Sequence, residues 1–242
     1  MLPSLKSLRK NNFSITKKTK YRQTLWIGGI FCYNHIMKQK INYQTLYDEL
    51  VLKLKSEGNT PTLLLHCCCA PCASHCLTLL TKNFDVSTYF FNPNIFPEEE
   101  YFRREQELQR LTKQLPLDSP VRTVLAKYQP QDFFNIATGL ESAPEGGKRC
   151  RECFYHRLKH TAETARQNGF EYFCTTLTIS PLKNAQLINE IGQQVAQEEG
   201  VKWLPTDFKK QDGYLHSIKL SNQYGLYRQD YCGCVFSKPQ KQ

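Results

Sequence analysis

Apolar residues along this chain recur in two spacings that take turns. Leu46, Leu50 and Leu54 stand four apart among polar neighbours, which predicts an amphipathic helix over Tyr43–Lys55, closed by Gly58 and Pro61. The next apolar run, Thr62 to Leu65, is short and unbroken, the pattern of a strand buried on both faces. Pro71 suits a first helical turn and predicts a helix over Ala70–Thr81, entered through the loop before it. Asp85–Asn92 alternates as a second strand, and "NPNIFP" follows as a proline-punctuated loop. Three glutamates open a helix over Glu98–Gln114, at the end where the helix dipole favours acids. Beyond the turn-rich "SAPEGGKRC", a helix is predicted over Cys153–Asn168, stopped by Gly169. "YFCTTLTI" reads as a third strand, Asn184–Glu199 as a helix ended by Gly200, and "VKWLP" as a fourth strand.

Strands and helices in alternation predict an α/β fold, a mainly parallel, Rossmann-like sheet with helices on both faces. The length of 242 residues suits one domain, expected over residues 41–242, with residues 1–40 as an extension. Ligands of such sheets bind at the carboxyl edge of the strands, which is where the loop after the first strand must lie.

Charge refines this picture only at the N-terminus. The formal net charge is +10, yet nine of the 32 Lys and Arg fall in residues 1–40, which hold no acid. The remainder carries 23 basic and 22 acidic residues, so net charge gives no argument for nucleic-acid binding by the body. The leader has three readings: a targeting peptide, an RNA-binding arm, or a dispensable extension with the working chain starting at Met37. Its apolar stretch "LWIGGIFCY" is too short to span a membrane and no later segment approaches one, so a cytoplasmic protein without a membrane partner is expected.

Eleven cysteines without a secretory signal favour metal or redox chemistry over a disulfide scaffold. They cluster in "HCCCAPC" (Cys67, Cys68, Cys69 and Cys72), "KRCREC" (Cys150 and Cys153) and "YCGC" (Cys232 and Cys234). Strand alternation turns Cys67 into the core, and the isolated Cys32, Cys76 and Cys174 read as small buried hydrophobes. Cys68, Cys69, Cys150 and Cys153 supply four thiolates, the number that a [4Fe–4S] cluster or a zinc ion takes. Cys232-Gly233-Cys234 admits either a strained, easily reduced disulfide or a pair of ligands to a second metal ion, and Cys72 fits either arrangement. His66 and His75 read as packed or solvent-facing histidines.

Five motifs, "HCCCAPC", "FNPNIFPEEEYFRR", "GGKRCREC", "TTLTISPLKN" and "GLYRQDYCGCVFS", together resemble the QueH-type epoxyqueuosine reductases over residues 60–237. The resemblance implies reduction of the epoxide of epoxyqueuosine to queuosine at the wobble position of tRNAs for Tyr, His, Asn and Asp, with electrons from an unidentified donor. It also implies a [4Fe–4S] cluster on Cys68, Cys69, Cys150 and Cys153, and a redox pair of Cys232 and Cys234. Some members carry Asp where this chain has Cys72, which leaves an adjacent mononuclear metal ion open. The chemistry fits the residues independently: an epoxide becoming an alkene takes two electrons and two protons, whereas a cluster passes one electron at a time. Tyr227, Asp230 and Tyr231 flank the CGC pair as candidate proton donors. Arg103, Arg104, Lys148, Arg149, Arg151, Lys183 and Arg228 form a candidate phosphate-binding rim, with Tyr101, Phe102 and Tyr227 as candidate stacking groups. Two other classes fit the thiols: a zinc-stabilised nucleic-acid-binding module and a thiol–disulfide oxidoreductase.

Overall fold

A computed structural model describes residues 41–237, so the readings of the basic leader and of Cys32 lie outside the described residues. Asn42 caps the first helix, α1 (Tyr43–Glu57), by accepting the Gln44 N–H, and Gly58 ends it in the left-handed conformation. Five strands follow in parallel: β1 (Thr62–His66), β2 (Asp85–Phe90), β3 (Arg122–Leu125), β4 (Tyr172–Thr175) and β5 (Lys202–Trp203). Their order across the sheet is β3-β2-β1-β4-β5, as in a doubly wound fold.

Between them run α2 (Ala70–Leu80), α3 (Glu98–Gln114), α4 (Pro130–Ala137), α5 (Lys148–Gln167) and α6 (Ala185–Glu199), with α7 (Gly213–Gln223) after β5. Right-handed crossovers moving outward from β1 to β3 put α2 and α3 on one face, and the reversal toward β4 and β5 puts α5 and α6 on the other. The packing agrees: α2 lies against α3 and α7, and α5 against α4 and α6. Leu63, Leu64 and Leu65 of the central strand are fully buried because both faces are covered. On the far side, α6 approaches β5 so closely at Gly192 that any Cβ there would collide with the Trp203 ring.

Three elements escaped the sequence pattern: the short edge strand β3, and helices α4 and α7. The predicted third strand is shorter than expected, because Thr176–Ile179 turns into a single 3-10 helix when the Thr175 hydroxyl accepts the Leu177 N–H. Helix α5 begins earlier, at Lys148, which carries Cys150 onto the same helix as Cys153.

Candidate metal and redox site

The strand order reverses between β1 and β4, and the loops leaving those two strands diverge there into a crevice. Backbone contacts fix the cysteine loop after β1 in it. The Cys68 N–H donates to the Thr176 hydroxyl beyond β4 at 3.4 Å, and the Asn92 amide beyond β2 donates to the Cys67 carbonyl at 2.9 Å. Cys67 itself points into the core and its thiol donates to the Leu65 carbonyl; Cys76 and Cys174 are likewise fully buried, as their isolation in the sequence suggested.

The sulfurs of Cys68, Cys69 and Cys72 all lie within 4.8 Å of one another, the one group of this kind among the described residues. Hydrogen bonds from Cys69 and Cys72, with the charges of Arg157 and Lys183 behind them, hold the Cys68 thiol well below its ordinary range. The proton sharing pushes Cys69 up to about 12 and Cys72 well upward. Three sulfurs this close together, with Cys68 and Cys69 at 3.8 Å, are a soft, pre-assembled donor set.

Cys150 and Cys153 stand outside that trio, on the first turns of α5, where the Gly146 N–H donates to the Cys150 sulfur at 3.2 Å. Cys153 is buried with Cys234 against Phe133 and Ala137, and burial pushes its thiol up to about 12. Cys150, Cys153, Cys232 and Cys234 line one small cavity, while Cys68, Cys72 and Cys232 border a larger one of about 330 Å³. Cys232 and Lys183 belong to both, so the three thiol clusters converge on one region. The ten described cysteines are all free thiols, including Cys232 and Cys234.

The CGC loop is held from α3. Gly233 adopts φ +106°, and a Cβ there would come within 2.9 Å of Ile95 and 3.1 Å of Arg104, so the position needs glycine. The Phe96 N–H donates to the Gly233 carbonyl at 2.9 Å, and the Tyr231 hydroxyl to the Phe96 carbonyl at 3.1 Å. Arg104 donates to the carbonyls of Cys232 and Tyr231 while its Nε pairs with Glu100 at 2.6 Å.

This geometry corrects part of the predicted basic rim. Arg104 is 1 % exposed and Arg149 is buried, donating to the carbonyls of Leu140, Glu141 and Ala143, so neither offers a surface to phosphates. Arg103 stacks its guanidinium 3.4 Å over the Tyr227 ring, and the Tyr227 hydroxyl donates to Glu100. Tyr101 is core, with its hydroxyl on the carbonyls of Phe90 and Ala126. Lys183 turns inward; burial alone would lower its pKa, but Cys232, Cys68 and Cys72 outweigh this and raise it. Lys148, Arg151 and Arg228 are exposed, Asp230 lines the larger cavity, and Phe102 is partly exposed beside Tyr101 and Tyr128. His66 is a packed histidine: Nε2–H donates to the Phe91 carbonyl, Nδ1 accepts from Thr175, and burial drives its pKa down to about 3.

Arg157 and Asn92 were missed in the sequence. The available signal was the four-residue spacing from Cys153 to Arg157, which puts both on one helix face.

A family model described as "Epoxyqueuosine reductase QueH" matches residues 63–240. The chain belongs to the QueH family of epoxyqueuosine reductases. It is 43 % identical over 203 residues to the epoxyqueuosine reductase QueH of Staphylococcus epidermidis, covering 82 % of this chain and 85 % of that protein. The Streptococcus pyogenes QueH is 42 % identical over 201 residues, covering 82 % and 79 %. The QueH of Thermotoga maritima is 37 % identical over 179 residues, covering 73 % and 90 %. The protein is therefore an oxidoreductase of the QueH family, and its thiol-lined crevice is compatible with metal binding. Among the described residues no helix is long and apolar enough to cross a membrane.

Proposed function

We propose that this protein reduces the epoxide of epoxyqueuosine at the tRNA wobble position to queuosine, in the cytoplasm, as a single domain over residues 41–242. The observation that carries the reading is the convergence of three sequence-remote thiol clusters at the switch point of a sheet whose chain belongs to the QueH family. The tRNAs for Tyr, His, Asn and Asp are the proposed substrates. Their wobble base lies in a single-stranded loop, from which it can be turned out into a crevice.

The donor set suits an iron–sulfur cofactor. Cys68, Cys69, Cys150 and Cys153 would hold a [4Fe–4S] cluster, and the positive charges of buried Arg157 and half-buried Lys183 suit an anionic occupant. When bound, the cluster supplies single electrons received from an outside donor. Cys72, beside Cys68 and Cys69, is the candidate ligand of an adjacent mononuclear ion.

Cys232 and Cys234 are the proposed redox pair. Two thiols closing to a disulfide release two electrons and two protons, and the epoxide consumes both pairs as its oxygen leaves as water. Cys232 borders the larger cavity, so a substrate ring bound there would meet this member of the pair, with Cys234 behind it in the smaller cavity. Asp230 lines the larger cavity and is positioned to relay a proton, whereas the Tyr227 hydroxyl is committed to Glu100. Arg228 at the rim of that cavity, with Lys148 and Arg151 on the exposed face of α5, remains for phosphate contacts.

The test is conversion by anaerobically reconstituted full-length protein, given epoxyqueuosine-containing tRNA and dithionite with a viologen mediator. Nucleoside mass spectrometry should show epoxyqueuosine replaced by queuosine. Iron-replete protein that leaves the epoxide intact under these conditions would refute the reading.

A further inference from the structure

Among the described residues three arginines are buried almost completely, and their partners differ in kind. Arg104 has the Glu100 carboxylate at 2.6 Å, and Arg149 has three carbonyl oxygens. Arg157, 1 % exposed, has neither. Its Nη2 donates to Asn92 Oδ1 at 2.6 Å, its Nη1 meets the Cys153 sulfur at 4.0 Å, and its Nε is buried without a hydrogen-bond partner. Among the described residues no carboxylate oxygen lies within 4.0 Å of this guanidinium. The side chain borders the larger cavity beside Cys68 and Cys72. A buried cation is costly unless an anion offsets it, and sulfur is the anionic chemistry this one faces.

We propose that Arg157 is the resident counter-cation of the sulfur site and sets the potential at which that site accepts an electron. The inference rests on the iron–sulfur reading above. A thiolate-held centre that takes one electron from an external reductant becomes one charge more negative, so a fixed cation nearby stabilises the reduced form more than the oxidised one. Asn92 is the associated positioning residue: its Oδ1 orients the guanidinium and its Nδ2 donates to the Cys67 carbonyl, tying the cation to the cysteine loop.

The experiment uses the full chain reconstituted anaerobically with iron and sulfide, titrated with dithionite through viologen mediators and followed by electron paramagnetic resonance. Arg157→Lys keeps the charge, Arg157→Gln removes it, and Asn92→Asp pairs it with a carboxylate at the cost of the hydrogen bond to Cys67. At the wild-type midpoint, the Gln and Asp variants should show a reduced-to-oxidised ratio lower by about tenfold or more, equivalent to about 59 mV for a one-electron couple. Arg157→Lys should stay within about threefold. Iron content and melting temperature, read on the same samples, separate charge from loss of structure, and Asn92→Asp decides the matter should Arg157→Gln not load. Unmoved potentials in the Gln and Asp variants, or equal falls in Lys and Gln, would overturn the inference. A wild type with no iron–sulfur signal defeats the underlying reading, and this inference with it.

Discussion

The Arg104 guanidinium donates to the main-chain carbonyl of Cys232 at 3.1 Å, so a helix of the second crossover grips the thiol loop at the far end of the chain. Both partners of the supporting ion pair, Arg104 and Glu100, are buried. Arg104→Met leaves the buried Glu100 carboxylate without its cation, with only the Tyr227 hydroxyl, and should cost about 3 kcal/mol of stability in urea unfolding. The released loop should also expose Cys232, so that its alkylation by iodoacetamide, followed by mass spectrometry, accelerates several-fold. Arg104→Lys keeps the charge without the fork and should fall between the two. Alkylation at the wild-type rate in Arg104→Met would show that the clamp is idle.

Cys150 and Cys153 share the first turns of α5 and converge with Cys232 and Cys234 on one cavity. Replacing either by Ala should abolish the brown iron–sulfur absorbance and epoxide reduction together. A variant that keeps full turnover without a cluster removes the proposed ligand set.

Cys232→Ser and Cys234→Ser should behave otherwise: most of the cluster iron stays and turnover stops. Iron and sulfide analysis beside the activity assay reads both. If about one iron per chain disappears while sulfide stays constant, the pair holds a second ion and is not a redox couple.

Gly192 tests the scaffold away from the chemistry. An Ala there drives its methyl into the Trp203 ring, and overpacking of this kind costs about 1–3 kcal/mol. Urea unfolding should register the loss, with activity per folded molecule unchanged. Wild-type stability in Gly192→Ala would mean that α6 moves off β5 at little cost.

His75 and His216 join α2 to α7 with their Nδ1 atoms 3.0 Å apart. Burial, then the neighbouring His216 and Lys82, lower the His75 pKa to about 4. The unfolded chain therefore binds this proton first, and stability should fall as pH drops from about 6.5 toward 4, by about 1 kcal/mol for a group this accessible. His75→Gln should flatten that part of the wild-type pH–stability curve. Parallel curves for the two proteins would remove His75 as the source.

The sequence by itself determined the alternation of strands and helices, the placement of the thiols at the carboxyl edge of the sheet, and the inward fate of Cys67, Cys76 and Cys174. These are local matters: spacing of apolar residues, proline and glycine punctuation, and strand alternation act within a few residues and leave marks at fixed intervals. The missed elements lack such marks. The edge strand β3 is only four residues long and is half-exposed throughout, so no burial pattern is imposed on Arg122–Leu125; α4 is barely two turns. Tertiary structure alone decided which cysteines meet, since the trio of Cys68, Cys69 and Cys72 and the cavity shared by Cys150, Cys153, Cys232 and Cys234 depend on how distant loops pack. It alone decided, too, that Arg104 and Arg149 donate to main-chain carbonyls, whereas Arg157 donates to Asn92 beside the Cys153 sulfur. An arginine looks the same in sequence whether its partner is water, a carbonyl or a thiolate, because that choice follows from burial and from the groups the fold brings beside it.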